Sequence, residues 1–235
     1  GCDLDRNVGI RCRTAAETTA GLQDMHPHLR RFDTGGTGRH GLLEDDVEER
    51  VLWMVWPGVP LGHADEPALD ILTNVLSYGQ GTRLDDALYF KSSKASQVTA
   101  FAAMSERAGQ VMVRVGSEKT PLAKLRKLVD KQLASIVKKP PTEAEVERAR
   151  QGFRTGMLDD WERPEDVAGT LVDCYRQTGE ANCLASQWAR YEAVTSEDIV
   201  RVAQTYLLDV EPSTLSNIPR GDDGALEGAE PVELP

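Results

Sequence analysis

Four histidines are the side chains best suited to metal binding or acid–base chemistry: His26, His28, His40 and His63. His26 and His28 flank Pro27, which disfavours the helix that would place two imidazoles on one face. Both also lie in a polar stretch, where solvent exposure is the simplest expectation. His63 follows an apolar segment and precedes Asp65, which is typical of loop and helix-cap residues. We therefore predict no zinc site and no nucleophile–histidine pair in this chain.

The four cysteines fall into two local pairs, Cys2 with Cys12 and Cys174 with Cys183. An even count in close pairs is typical of local disulfides in an oxidising, periplasmic or otherwise extracytoplasmic compartment. Gly179 turns the chain between Cys174 and Cys183, which would let them bridge two successive helices. The alternative is four reduced cysteines in a cytoplasmic protein, two of them buried in helices. Neither pair has the C-x-x-C spacing of a zinc ribbon or redox motif.

Composition and charge exclude several classes of function. The chain has 235 residues and a net charge of −11, which disfavours binding to nucleic acid and to anionic membrane surfaces. Apolar residues make up 40 % and charged residues 28 %, as in an ordinary globular domain. No apolar run approaches the length of a membrane span, so we predict none.

The elements that must position any functional residue are organised around residues 68–100. Apolar residues at helical spacing open this segment, a Gly79-Gln80-Gly81 turn ends the helix, and a second short helix follows. The side chains expected to face inward from that second helix are Leu84, Ala87, Leu88 and Phe90. The period then changes to two from Val98 to Met104, which predicts a strand.

The remaining pattern predicts an α+β fold with a mostly antiparallel sheet and helices packed on one face. Residues 51–56 are apolar on both faces and predict a central strand covered on each side. Gly109 marks a hairpin into a valine-rich strand, and the following chain is mostly helical. We expect residues 1–47 to be an arm or connector, 48–219 the α+β domain, and 220–235 a flexible acidic tail.

Several helix starts carry capping chemistry. Thr142 and Glu145 have the spacing of a capping box, in which each side chain accepts a backbone N–H from the other residue. Thr195 and Asp198 have the same spacing before the last helix. These signals predict where two helices begin, and both fall beyond residue 140.

Motifs at four places carry a family resemblance. Residues 51–88, VLWMVWPGVPLGHADEPALDILTNVLSYGQGTRLDDAL, resemble the start of the C-terminal, non-catalytic domain of the insulinase/pitrilysin-type zinc metallopeptidases. Within them, residues 79–84 stand where that family has G-x-x-S-R-L. PPTEAEVERAR, residues 140–150, is similar to the family's P-T-x-x-E-L-x-x-A-K. Residues 193–203 resemble V-T-x-x-D-V-x-x-V-A, and residues 218–219 match a closing V-P.

The resemblance covers about residues 48–219 in the family's order, and it implies an α/β roll that forms half of a clamshell. In this family, which includes mitochondrial processing peptidase, the catalytic half binds zinc through H-x-x-E-H. This chain lacks that motif. The resemblance therefore implies a part of a zinc-dependent endopeptidase that is not catalytic on its own.

Zinc is accordingly expected only in a partner, a catalytic half in the same or a separate chain, with which this chain encloses and positions unfolded peptide. A homodimer is the other expected partnership. Two alternatives stay open: a structural homologue with no proteolysis, as the respiratory core proteins of the family are, and an independent hydrolase with an unrecognised site.

The resemblance also implies substrate-facing residues. The family's L-R-E-K-L-G-x-A-Y, laid over residues 88–96, places Tyr89 at the arginine position and Ser96 at the tyrosine position. Both are departures, because a tyrosine cannot supply a fixed positive charge to an oxyanion. Arg83 lies nearby, although in the family this position more often bonds carbonyls around the glycine turn. Arg83, Tyr89 and Ser96 are thus the candidates for contact with peptide.

Overall fold

The computed structural model describes residues 2–5, 9–12, 38–159 and 163–232. The chain divides into two units, residues 1–36 and 37–235, which are described separately. In the first unit, strands β1 (Cys2–Asp5) and β2 (Gly9–Cys12) pair antiparallel with Cys2 opposite Cys12. The side chains of these two strands lie outside the described part of the chain, so the Cys2–Cys12 disulfide stays a prediction.

The second unit contains a six-stranded mixed sheet in the order β5-β6-β4-β7-β3-β8. Its strands are β3 (His40–Asp45), β4 (Arg50–Gly58), β5 (Gln97–Met104), β6 (Gly109–Ser117), β7 (Ser213–Pro219) and β8 (Glu230–Pro231). β3 runs parallel to both β7 and β8, and the other neighbouring pairs are antiparallel.

Seven helices of this unit are α1 (Glu66–Leu76), α2 (Asp85–Phe90), α3 (Leu122–Lys138), α4 (Glu143–Asp159), α5 (Pro164–Thr178), α6 (Leu184–Glu192) and α7 (Ser196–Val202). α7 continues into a wider, π-helical segment, Ala203–Leu208, and α2 is itself π-helical. The predicted α+β fold is confirmed. None of the helices described is both long and apolar enough to cross a membrane.

β4 shows how the sheet and the helices share one core. Leu52, Met54 and Trp56 are at most 1 % exposed and pack with apolar residues of α1, α3 and α7. Trp53 and Val55 alternate with them and stay half-exposed. The strand is central, as predicted, but of the two faces that were predicted to be covered, the one with Trp53 and Val55 stays partly exposed. Apolar residues on both faces of a strand indicate that each face is shielded from water, but they do not identify what shields it. In this unit the helices cover only one of the two faces.

Both predicted domain boundaries differ from the structure. The sheet begins at His40, eight residues before the predicted start, because β3 pairs with the distant strand β7. At the other end, β8 pairs with β3, and Asp222 forms an ion pair of 2.8 Å with Arg50. Polar composition predicted an arm and a flexible tail, whereas long-range strand pairing brings residues 40–45 and 230–231 into the sheet.

Phe90 also differs from its predicted inward position. Leu84 and Leu88 are fully buried, but Phe90 is 46 % exposed. The Lys91 N–H donates to the Asp86 carbonyl five residues back, 2.9 Å away. This winding adds about one residue to the turn, so the side chain two positions after Leu88 no longer aligns with the buried row.

Candidate functional site

The exposed aromatic pair at the end of α2 is the first component of the site. Tyr89 is 45 % exposed and Phe90 46 % exposed, and their rings meet edge to face with centroids 4.9 Å apart. Two neighbouring aromatic side chains in this state leave apolar area in contact with water, which makes them candidates for contact with another molecule. The sequence-predicted candidate Tyr89 therefore lies where it could contact a peptide.

A buried aspartate fixes the turn that leads into α2. Asp85 is 6 % exposed, and its carboxylate accepts hydrogen bonds from the Gly79 N–H and the Thr82 hydroxyl, each at 2.7 Å, and from the Ser77 hydroxyl at 3.1 Å. Gly79 and Gly81 have φ of 92° and 90°, which other residues avoid. The sequence analysis missed Asp85, although Thr82-x-x-Asp85 has the spacing of a helix cap. Asp85 thereby sets where α2 starts and where Tyr89 points.

Arg83 lies in the helix layer and not on the exposed surface. Its side chain is 11 % exposed, and Nε donates to Glu145 Oε1 at 2.9 Å. One guanidinium nitrogen also donates to the Lys139 carbonyl at 2.8 Å. Arg83 thus joins the start of α2 to the end of α3 and the start of α4. We remove it from the peptide-contacting candidates and assign it a positioning role.

Glu145 serves both this ion pair and the helix cap. The Thr142 N–H donates to Glu145 Oε2 at 2.8 Å, and the Glu145 N–H donates to the Thr142 hydroxyl at 3.3 Å, so the predicted capping box is present. Burial opposes ionisation of Glu145, but the hydrogen bonds from Arg83 and Thr142 outweigh it and lower its pKa to about 2. The carboxylate therefore stays charged throughout the neutral range.

Ser96 leads into a chain of polar contacts at the sheet. Its hydroxyl donates to Glu49, which also accepts a hydrogen bond from the Gln97 amide. The side-chain oxygen of Gln97, Oε1, accepts a hydrogen bond from the Arg114 guanidinium. The same guanidinium lies over the Trp53 ring, 5.4 Å from its centroid. The hydroxyl of Ser96 is thus engaged with a carboxylate, and the fixed positive charge nearby belongs to Arg114. A single charged residue in a valine-rich strand was the available sequence signal for Arg114.

The strand register shows which side chains lie next to Arg114 on the sheet face that the helices do not cover. Arg114 stands opposite Trp53 on one side and opposite Thr99 on the other, and Met112 lies between Val55 and Phe101. The members of these rows are half-exposed except for Thr99, which is exposed. The face therefore combines apolar side chains with one cation.

The start of α1 gathers acidic groups without forming a metal site. His63 Nδ1 accepts the Asp65 N–H at 3.1 Å, in agreement with its predicted loop and cap role. Asp65 accepts from Arg201 at 2.7 Å and from the Tyr206 hydroxyl at 2.8 Å. Across the described residues, no group of three or more His, Cys, Asp or Glu is arranged to hold a metal ion.

The other predicted site residues are placed as follows. His40 Nδ1 lies 2.8 Å from the Thr214 hydroxyl, a contact between β3 and β7. His26 and His28 lie outside the described residues. Cys174 and Cys183 form a disulfide and are 3 % and 2 % exposed, which ties the end of α5 to the start of α6.

Asp70 on α1 is the most perturbed carboxyl group in this region. It accepts a hydrogen bond of 2.7 Å from the Tyr191 hydroxyl of α6. Burial, helped by the nearby Glu66 carboxylate, raises its pKa to about 7 against the opposing effect of the Tyr191 hydrogen bond. Burial likewise raises the pKa of Tyr191, so this hydroxyl stays a donor.

This perturbation predicts a pH-dependent effect of Asp70→Asn. A carboxyl group with a raised folded-state pKa stabilises fully below its unfolded value near 3.8, and that contribution is lost as pH rises through about 7. Asparagine stays neutral and can still accept the Tyr191 hydrogen bond. We expect Asp70→Asn to raise the free energy of unfolding at pH 8 by on the order of 1 kcal/mol, and to change it little at pH 4. Urea unfolding at both pH values measures this, and equal effects at the two would contradict it.

Comparison with known proteins shows the family to which this chain belongs. A family model described as the peptidase M16 inactive domain matches residues 17–153, more than half of the chain. The match begins within the predicted N-terminal arm. A curated relative, "Zinc protease PqqE" from Helicobacter pylori, is 25 % identical over 154 residues, which are 65 % of this chain and 34 % of the relative. The chain therefore spans about a third of that relative.

Solved structures share the fold. A peptidase M16 inactive domain from Pseudomonas fluorescens superposes with a TM-score of 0.67 at 19 % identity, over 84 % of this chain and 45 % of that one. The periplasmic protease PqqL from Escherichia coli superposes with a TM-score of 0.60 at 15 % identity, over 78 % of this chain and 21 % of that one. In each case the chain corresponds to less than half of the larger molecule.

Proposed function

Because the chain belongs to the family of peptidase M16 inactive domains, we propose that it is the non-catalytic half of a zinc metallopeptidase. In this proposal it pairs with a histidine-bearing catalytic half, and the two halves enclose an unfolded peptide. The reaction proposed for the assembly is hydrolysis of peptide bonds within that peptide. The chain itself contributes binding and positioning.

The observation that carries the proposal is the exposed aromatic pair on a buried support. Tyr89 and Phe90 are 45 % and 46 % exposed, whereas Leu88, the residue directly before them in α2, is fully buried. Asp85 and Arg83 hold α2 in place through contacts with the glycine turn and the helix layer. A rigidly supported, exposed aromatic pair can stack on or pack against an extended peptide with little loss of side-chain entropy.

Ser96 and Arg114 complete the proposed peptide-facing surface. Both belong to the polar chain through Glu49 and Gln97 at the edge of the sheet. Arg114 donates to the Gln97 side-chain oxygen and lies over the Trp53 ring, and we propose that its remaining N–H groups face peptide carbonyls or acidic side chains. β5 is an edge strand, which offers backbone groups to an added strand.

The zinc of this proposed enzyme belongs to the partner. Zinc sites in proteins use three or four histidine, cysteine or carboxylate ligands at tetrahedral positions. The acidic groups at the start of α1 are instead bonded to Arg201, Tyr206, Arg190 and Tyr191. When bound by the catalytic half, the metal would activate water for attack on the peptide bond.

A scaffold with no role in proteolysis is the second candidate. The residue at the position of the family's arginine is Tyr89, and the residue at the position of its tyrosine is Ser96. Neither can hold a developing oxyanion as an arginine does. Under this alternative the same surfaces would hold a partner permanently, and no peptide would be cleaved.

We also propose an extracytoplasmic location. The Cys174–Cys183 disulfide supports this location, because disulfides form and persist mainly in oxidising compartments. PqqL, which shares this fold, is described as periplasmic. Thiol counting on denatured, unreduced protein tests the proposal, and four free thiols after isolation from cells would contradict it.

Reconstitution tests the proposed function. We expect the purified chain to bind no stoichiometric zinc and to cleave no peptide, because its sequence has no H-x-x-E-H motif and its described residues form no ligand set. Mixed with the H-x-x-E-H half encoded beside it or in the same longer chain, it should form a complex that cleaves a quenched fluorescent peptide. A complex without cleavage would favour the scaffold, and one tightly held zinc per isolated chain would contradict both.

A further inference from the structure

The outward face of α3 holds most of the lysines of this chain. The sequence has eight lysines, and five of them lie on α3 or directly after it. These five are all exposed: Lys124, Lys127, Lys131, Lys138 and Lys139. The net charge of −11 is an average over the whole chain, and it conceals this compact positive surface.

The spacing of the lysines within α3 places them on the side of the helix opposite the core. Lys124, Lys127 and Lys131 are three and four residues apart, and Lys138 follows two turns later. On a helix these four side chains fall within an arc of about 60° and form a row about 21 Å long. We call this row the lysine stripe. The buried residues of α3 lie on the other side: Leu122, Leu125, Val129, Leu133 and Ile136.

The lysine stripe is unfavourable for the helix that carries it. Like charges three and four residues apart on a helix repel each other. Lys124 lies in the first turn, where the helix macrodipole favours acidic side chains, and that turn has none. Across residues 38–159 and 163–232, no stripe lysine forms an ion pair, and the carboxylate of α3, Asp130, is bonded to Arg126 at 3.0 Å. No described part of the chain relieves the repulsion, whereas an anionic partner would.

We infer that the lysine stripe docks on the headgroups of an anionic phospholipid membrane. Clusters of four to eight cationic side chains are sufficient for such binding. The stripe and Lys139 together supply five charges, on the convex side of a straight helix that can lie along a flat surface. Carboxylates more than a Debye length away, about 8 Å at physiological ionic strength, are largely screened from that surface. The negative net charge therefore does not prevent local attraction.

A protein partner fits the lysine stripe less well than a membrane does. Protein interfaces are depleted in lysine and centre on aromatic, methionine and arginine side chains, and α3 contains no aromatic residue and no methionine. A lysine ammonium is a hydrated point charge without the fixed fork of an arginine, so it suits headgroups that move laterally. The apolar side of α3 is buried in the core, so the helix would rest on the headgroups without entering the hydrocarbon.

Co-sedimentation of the full chain with lipid vesicles tests the docking. We expect binding to vesicles of phosphatidylglycerol and phosphatidylcholine in equal amounts, and none to vesicles of phosphatidylcholine alone. Binding should be lost in about 1 M salt, where the Debye length falls to about 3 Å. The triple variant Lys124→Gln, Lys127→Gln, Lys131→Gln should bind about 100-fold more weakly, because each lysine near an anionic surface contributes about fivefold. Its melting temperature should not fall, since the substitution removes repulsion.

The matched control removes three positive charges from other exposed positions: Lys91→Gln, Arg107→Gln and Arg220→Gln. We expect this variant to bind anionic vesicles as the native chain does, and replacement of the three stripe lysines by arginine to preserve binding as well. Absence of binding to anionic vesicles, or equal weakening in the two glutamine variants, would overturn the inference. Tighter binding to soluble poly-glutamate than to vesicles would also overturn it, in favour of an acidic protein partner. The inference does not rest on the proposed peptidase function, because vesicle binding is measured on this chain alone.

Discussion

Replacing Arg83 with methionine is expected to lower the free energy of unfolding by about 2 to 3 kcal/mol at neutral pH. Arg83 donates charge-assisted hydrogen bonds to Glu145 and to the Lys139 carbonyl at 2.9 and 2.8 Å, and its side chain is only 11 % exposed. Methionine fills a similar volume but leaves the Glu145 carboxylate and the carbonyl without this donor. Urea unfolding followed by circular dichroism measures the loss.

The same substitution should flatten the acid dependence of stability. The Glu145 pKa is lowered to about 2 in the folded protein from 4.5. A lowered pKa contributes stability that is present above the unfolded value and is lost as pH falls through the folded value. The native chain should therefore lose this stability between about pH 4.5 and 2, and Arg83→Met should lose less there because one cause of the lowered pKa is gone.

Arg148→Met is the matched control for Arg83→Met. Arg148 donates to the Gly81 carbonyl at 2.7 Å from the same helix layer, but its side chain is exposed. Surface interactions of this kind contribute about 0 to 1 kcal/mol, so we expect a correspondingly small change. Equal losses in the two variants, or an unchanged acid dependence in Arg83→Met, would show that Arg83 does not position α2.

Tyr89→Ala is expected to reduce peptide cleavage by the reconstituted enzyme about tenfold or more while barely changing stability. Removing a half-exposed ring leaves no cavity, so we expect a loss of less than about 1 kcal/mol. The ring and its edge-to-face contact with Phe90 would otherwise hold the peptide against α2. Cleavage should fall through a higher KM, since in the proposed enzyme the zinc site belongs to the other half.

Leu88→Ala, one position earlier, provides the contrast. Leu88 is fully buried, so its truncation should cost about 3 kcal/mol through lost contacts and a cavity. A large fall in the melting temperature of Tyr89→Ala, with no effect on the reconstituted activity, would mean that Tyr89 is part of the core and that the peptide lies elsewhere.

The sequence by itself determined the elements and the family. Helical spacing in α1 and α3, alternation in β5 and β6, and the two capping boxes are local signals, and local propensity and side-chain periodicity act over a few residues. The starts of the helices after Thr142 and Thr195, and the α+β class, followed from them. The ordered motifs around residues 79–84 and 140–150 were sufficient for the resemblance, because they lie within single turns and helix starts.

The tertiary structure decided which faces are covered and which charges are free. Arg83 and Tyr89 are six residues apart, yet one is bonded inside the helix layer and the other is exposed. That difference depends on the π-helical winding of α2 and on contacts with Glu145, sixty-two residues away. The pairing of β3 with β7 is likewise set by contacts between distant segments, because a local pattern specifies that a side chain is apolar but not what buries it.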